Sequence, residues 1–140
     1  FRVARRASIL ETLTEQNEEY LSITSSHDGY KRLKSPVVHN RNWHFAKNYI
    51  QIKDNLDGKF NSGKAYYHFH PHIKVEKLGK SIELTLPNDK KIILLADGGH
   101  ISLQDTEWYP EFGKKIKNKT LTMDFDHNEI NLMLKWSDSV

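Results

Sequence analysis

Residues 65–73 read Ala-Tyr-Tyr-His-Phe-His-Pro-His-Ile. An extended chain sends successive side chains to opposite faces at a rise of about 3.3 Å per residue. This stretch therefore puts His68, His70 and His72 on one face and Tyr67, Phe69 and Ile73 on the other. An aromatic row enters a core while an imidazole row looks outward, with Pro71 marking where the strand ends. No window of the chain holds an amphipathic period of 3.6 over three turns, so almost no helix is expected.

The rest of the chain repeats the two-residue pattern. Ser8 to Glu15 and Glu19 to Thr24 flank Gln16-Asn17-Glu18 and read as a hairpin. His27-Asp28-Gly29-Tyr30 reads either as an acid–base pair with a tyrosine behind it or as a turn, and its Asp-Gly signal favours the turn; Pro36 opens a strand from Val37 to Phe45, where a missing N–H is tolerated. Tyr49 to Asp54 alternates and is expected to stop at the turn Asn55-Leu56-Asp57-Gly58. Further strands are predicted at Ser81 to Leu86, Lys91 to Leu95 and Ile101 to Gln104, separated by Pro87-Asn88-Asp89 and Asp97-Gly98-Gly99. Trp108 to Gly113 is placed in a loop leading to an edge. Asn118 to Asp126 and Glu129 to Trp136 alternate cleanly and are predicted to form a hairpin around Asp126-His127-Asn128. Strands every eight to twelve residues or so spell an all-β, antiparallel β-sandwich, and the 140 residues are read as a single domain, 1–140.

Composition narrows the function classes. Apolar runs break well short of the roughly 18 to 20 residues that cross a bilayer, so no membrane span and a soluble chain are expected. The sequence opens on Phe1 with no apolar signal segment after Arg2, Arg5 and Arg6, and reads as a piece of a longer protein. Lys and Arg outnumber Asp and Glu by 21 to 18, giving a net charge of +3 that mildly favours acidic partners. Basic residues are scattered apart from Lys114-Lys115-Ile116-Lys117, so nucleic acid is not expected as a partner. With no cysteine, disulfides, thiolate zinc sites and a thiol nucleophile are excluded. No nucleophile-elbow serine and no glycine-rich phosphate loop is present.

The remaining chemistry lies in the imidazoles and aromatics. His-x-His on a strand sets two imidazoles about 7 Å apart on one face, so His68 and His70 are candidate ligands for a divalent metal, with Asp97, His100 or His39 as recruits from neighbouring strands. The alternative is a row of hydrogen-bonding side chains facing solvent or a cleft. Such a row, with Arg41 and Lys74 nearby, would take an anionic sugar, the arginine supplying a planar fork for a carboxylate. Trp108, Tyr109 and Phe112 either form a sugar-stacking platform or close one end of the core. Asn118-Lys119-Thr120 matches the glycosylation acceptor pattern.

Five short motifs stand in order: His27-Asp28-Gly29-Tyr30, Pro36 to Arg41, Ile52 to Gly58, His68-Phe69-His70-Pro71 and Trp108 to Gly113. In that order and spacing the chain resembles the C-terminal part of heparinase II/III-type polysaccharide lyases, from about Phe1 to Gly113, and most of all members of bacterial capsule and exopolysaccharide loci. The resemblance implies a two-part enzyme, an N-terminal helical toroid followed by antiparallel sheets to which this chain would belong. It also implies a periplasmic or extracellular setting and cleavage of acidic polysaccharide by β-elimination at a uronic acid, without a cofactor. In the family a tyrosine and an asparagine or histidine of the toroid act with one histidine from an early strand of the sheet domain. No stretch here matches that early motif, so no catalytic residue is carried over.

Two readings follow. In the first, the chain is the C-terminal sandwich of such a lyase, inactive alone, supporting the toroid and lining its cleft. Its substrate-binding candidates are then Arg41, His68, His70, His72, Trp108 and Tyr109, with acidic polysaccharide and the toroid as partners. In the second it is a freestanding carbohydrate- or metal-binding β-module without enzymatic role.

Overall fold

Alternation decides the layers, and pairing decides which strands share one. A computed structural model describes residues 6–137, with eleven strands and no helix among them. In chain order these are β1 Ile9–Gln16, β2 Tyr20–Tyr30, β3 Val37–Ala46, β4 Tyr49–Gly58, β5 Lys64–His68, β6 Lys74–Leu78, β7 Ser81–Thr85, β8 Lys91–Asp97, β9 Gly99–Trp108, β10 Ile116–Phe125 and β11 Glu129–Lys135. A large sheet runs β1-β2-β3-β4-β11-β8-β7-β6 and a small one β5-β10-β9, with every pairing antiparallel. The chain is thus an all-β sandwich. No helix of the described residues is long and apolar enough to cross a membrane.

Leu121 and Met123 of β10 face Ile82 and Leu84 of β7, Leu94 of β8 and Ile130 and Leu132 of β11 in one buried cluster. Ala65 and Tyr67 pack against it as strand alternation requires, and Phe69 and Ile73 join them from the residues after β5. The large sheet contributes to this core from β4, β11, β8, β7 and β6, whereas β1 is exposed along its whole length. The β1–β3 side of the large sheet therefore continues past the packed core.

Several sequence expectations are corrected. The strand of the histidines ends at His68, and 69–73 turn, with Ile73 N–H donating to the His70 carbonyl, to carry the chain into β6, which the sequence reading did not anticipate. Asn55 to Gly58 does not turn but completes β4, because Leu56, Asp57 and Gly58 pair with His39, Val38 and Val37. Asp28-Gly29 is a bulge inside β2, where the register jumps between His27 and Tyr30. Nor do 118–126 and 129–136 form a hairpin. β10 pairs with β5 and β9, and β11 with β4 and β8. Clean alternation says only that each strand has one apolar face; here the two faces meet across the core instead of lying side by side.

Glycine permits the crossing from β8 in the large sheet to β9 in the small one. At Gly98, with φ of 82°, a Cβ would sit 2.5 Å from the Glu129 carbonyl oxygen, and at Gly99 it would sit 2.2 Å from that of Asp124. Gly79 shares the left-handed backbone, φ 61°, but has open space around it. Gly79→Ala is expected to lose about 1–2 kcal/mol for its backbone conformation alone, and Gly98→Ala distinctly more, read as the difference in urea unfolding free energy.

Candidate functional site

Asp54 of β4 is wholly buried at the inner face of the large sheet. A buried carboxylate costs several kcal/mol unless charge and hydrogen bonds compensate, and here four donors surround it. Its register partner on β3 is Arg41, whose Nε donates to Oδ1 at 2.6 Å and Nη2 to Oδ2 at 2.8 Å. Two positions earlier on the same strand face, His39 Nε2 lies 2.6 Å from Oδ1. From β5 of the small sheet, Tyr67 Oη donates to Oδ2 at 2.8 Å. The guanidinium also lies over the rings of Trp43 and Tyr67, at 5.8 and 5.7 Å from their centroids.

These contacts set the protonation states. Burial pushes Asp54 up, but the hydrogen bonds from His39 and Arg41, with the charge of Arg41, outweigh it and hold the carboxyl at about 2 against an ordinary 3.8. The shift adds about 2 kcal/mol of stability, fully present above pH 3.8 and lost as pH falls through the folded-state value. Burial and then the Asp54 charge raise the Tyr67 phenol, which stays protonated as a donor. Burial lowers Arg41, yet its bond to Asp54 leaves it above its ordinary value.

A chain of bonds leads outward from this centre. Gly29 N–H, in the β2 bulge, donates to His27 Nδ1 at 3.1 Å, so the proton of that ring is on Nε2, which lies 2.9 Å from His39 Nδ1. His39 then carries its proton on Nε2 and donates to Asp54, a tautomer assigned from its partners. Burial and the neighbouring His39 lower the pKa of His27 below 6.5. The neutral ring therefore contributes stability above pH 6.5 that is lost as pH falls through the lowered value.

Arg41, Asp54 and His39 line a cleft of about 380 Å³ between the sheets, together with Tyr30, Phe60, Ser62, Lys64, Tyr66 and Phe125. Apolar walls with a few convergent polar groups are the usual make-up of a ligand site.

Of the residues singled out from sequence as possible binding or metal-holding groups, Arg41 and His39 lie in this cleft, and both are already bonded to Asp54. His68, His70 and His72 are exposed on the other side of the small sheet. There His68 Nδ1 bonds Thr120 Oγ1 at 2.8 Å, and the His70 ring lies 4.8 Å from His72 and 5.2 Å from Trp108. Tyr109 is 66% exposed and donates to Glu107 Oε2 at 2.6 Å. Tyr109 and Phe112 stand in solvent, so the aromatic segment does not close the core. Asn118 is buried, its amide donating to the Phe69 carbonyl and accepting from Thr106, which leaves it unsuited as a glycosylation acceptor. No group of three or more His, Asp or Glu among the described residues is arranged to hold a metal ion, and His39, a candidate third ligand, is committed to Asp54 and His27. The sequence reading missed Asp54 and Tyr67 and took His27 for part of a turn. A signal existed: pairing across the short connection from Ala46 to Tyr49 brings Arg41 opposite Asp54.

The family described as Heparinase II/III-like, C-terminal, matches residues 1–137. The chain belongs to this family. Among solved structures it resembles the Heparinase III-BT4657 gene product, with a TM-score of 0.73 and 12% identity over 95% of this chain and 22% of that one. The same product with methylated lysines gives a TM-score of 0.70 and 12% identity over 92% and 22%. The likeness is one of fold, and the chain spans about a fifth of the length of those relatives. No curated protein sequence matches it.

Asp54→Asn, which strands the Arg41 charge, is expected to cost about 3–5 kcal/mol, whereas Tyr67→Phe, which removes one charge-assisted bond, costs about 1.5–3 kcal/mol. Guanidinium unfolding of the two variants checks the order.

Proposed function

We propose that this chain is the C-terminal sandwich of a heparinase II/III-like protein that cleaves acidic polysaccharide by β-elimination. In this reading it supports an N-terminal helical toroid that carries the proton chemistry, and it walls part of the substrate cleft. Family membership over residues 1–137 supports the parent activity. The division of labour rests on one observation: the acid–base groups gathered around Asp54 are committed to each other. β-Elimination at a uronate needs a base for the proton alpha to the carboxylate and a proton donor for the departing 4-linked oxygen. Tyr67, with its phenol pushed up, donates to Asp54, and both nitrogens of His39 are bonded. What the cleft offers a sugar is position: the outer edge of the Arg41 guanidinium, Lys64, Ser62 and the rings of Tyr30, Tyr66 and Phe60.

The test incubates the 140-residue chain, and in parallel a longer protein that includes the toroid, with uronate polysaccharides and follows the ultraviolet absorbance of the unsaturated product. Product is expected from the longer protein and none from the chain alone. Turnover by the chain alone would overturn the division of labour; no product from the longer protein would overturn the lyase reading.

A further inference from the structure

We propose that the outward face of the small sheet is a track that holds acidic polysaccharide and continues the Asp54 cleft, through Tyr66, His68, His70 and Trp108. The proposal rests on the polysaccharide reading given above for the occupant.

Continuity is the first argument. Tyr66 lines the cleft, and on β5 its ring lies parallel to that of His68, within 7° and 6.4 Å between centroids. His70 comes next and leans on Trp108 at the end of β9, 5.2 Å away. Tyr66 is 56% and Trp108 39% exposed, so a line of rings leads from the cleft mouth across the sheet without a covering layer.

Rigidity is the second. Between these rings runs β10, whose residues on this face are short and mutually bonded. Thr120 Oγ1 bonds both His68 Nδ1, at 2.8 Å, and Thr106 Oγ1, at 2.7 Å, and Thr106 in turn donates to Asn118 Oδ1 at 2.7 Å. Ser102 and Thr122 hydroxyls pair alongside. Thr120 and Thr122 are 1% exposed despite facing away from the core, so the side chains beside them close over β10 and its hydroxyls are bonded within the protein. His68 is thereby fixed in orientation before any ligand arrives, which lowers the entropy lost on binding.

Charge is the third, and it admits an anionic occupant. By register, the positions that share this face include Lys64 on β5, Asp124 on β10 and His100 on β9. Asp124, the carboxylate among them, is ion-paired with Lys64 at 3.0 Å. Asp105 and Glu107 occupy the opposite face, each paired with a lysine, Lys119 and Lys115. Among the described residues of this sheet, the imidazoles of His68 and His70 therefore meet no unpaired carboxylate, and an anionic ligand is not repelled. Ile116 apart, the strand positions on this face carry no aliphatic side chain, unlike the apolar centre of a protein interface. Rings for sugar C–H faces and imidazoles for hydroxyls and carboxylates suit a linear uronate polymer.

The test titrates the full chain with oligosaccharides of alginate, hyaluronan and heparan sulfate, and with dextran as the neutral control, while the histidine ring resonances are followed by NMR. Saturable shifts of His68 and His70 are expected with at least one acidic series and none with dextran. His70→Ala and Trp108→Ala, both exposed and outside the core, are expected to weaken binding at least tenfold while the remaining spectrum stays that of the folded chain. Absence of saturable binding to all three acidic series overturns the track, as does binding that neither variant weakens, or shifts confined to cleft residues. Failure of the lyase reading is separate: a toroid-bearing protein that makes no unsaturated product leaves these shifts in place.

Discussion

A single carboxylate, that of Asp54, joins three strands and both sheets. Arg41 and His39 approach it from β3, its own strand is β4, and Tyr67 reaches it from β5 across the sandwich. Removed from water without these four donors, an ionised aspartate would be among the most destabilising groups a domain can hold. With them, it fixes the register of β3 on β4 and ties the free edge of the small sheet to the large one. Cleft geometry follows, since Asp54, Arg41 and His39 are among its lining residues.

That arrangement is what supports the proposal of a binding surface in place of a reaction centre. A catalytic base or acid needs a proton position open to the substrate. Around Asp54 every proton has an internal destination: Gly29 to His27, His27 to His39, His39 and Tyr67 to Asp54. The network is a strut with a polar surface. On the proposed reading, the proton chemistry belongs to the helical toroid and not to this network.

Much of this architecture was legible in the sequence. Alternation identified most strands and the side of Tyr67, because burial on one face of a sheet imposes a period of two whatever the partner strand; Phe69 and Ile73 reach the same core from the turn after β5. It did not reveal partnership. The runs 118–126 and 129–136 look like a hairpin in sequence yet belong to different sheets, since the same alternation serves side-by-side pairing and face-to-face packing. Aspartate–glycine pairs misled twice, in β2 and at the end of β4, where flanking ladder bonds carried the strand through a local turn preference. Arg41 was found for its fork, but its partner Asp54 was not, because a buried polar cluster is assembled by register between strands and leaves no composition signal. The family was legible from five short motifs, two of which hold His27, His39 and Arg41 of this cluster.

The central claim is that Asp54 is an ionised hub held by four donors. Carbon-13 NMR of its side-chain carboxyl across an acid titration tests this most directly. A midpoint near 2, well under the ordinary 3.8, is predicted. A midpoint at or above 3.8 would mean that the donors do not compensate burial, and would contradict the account.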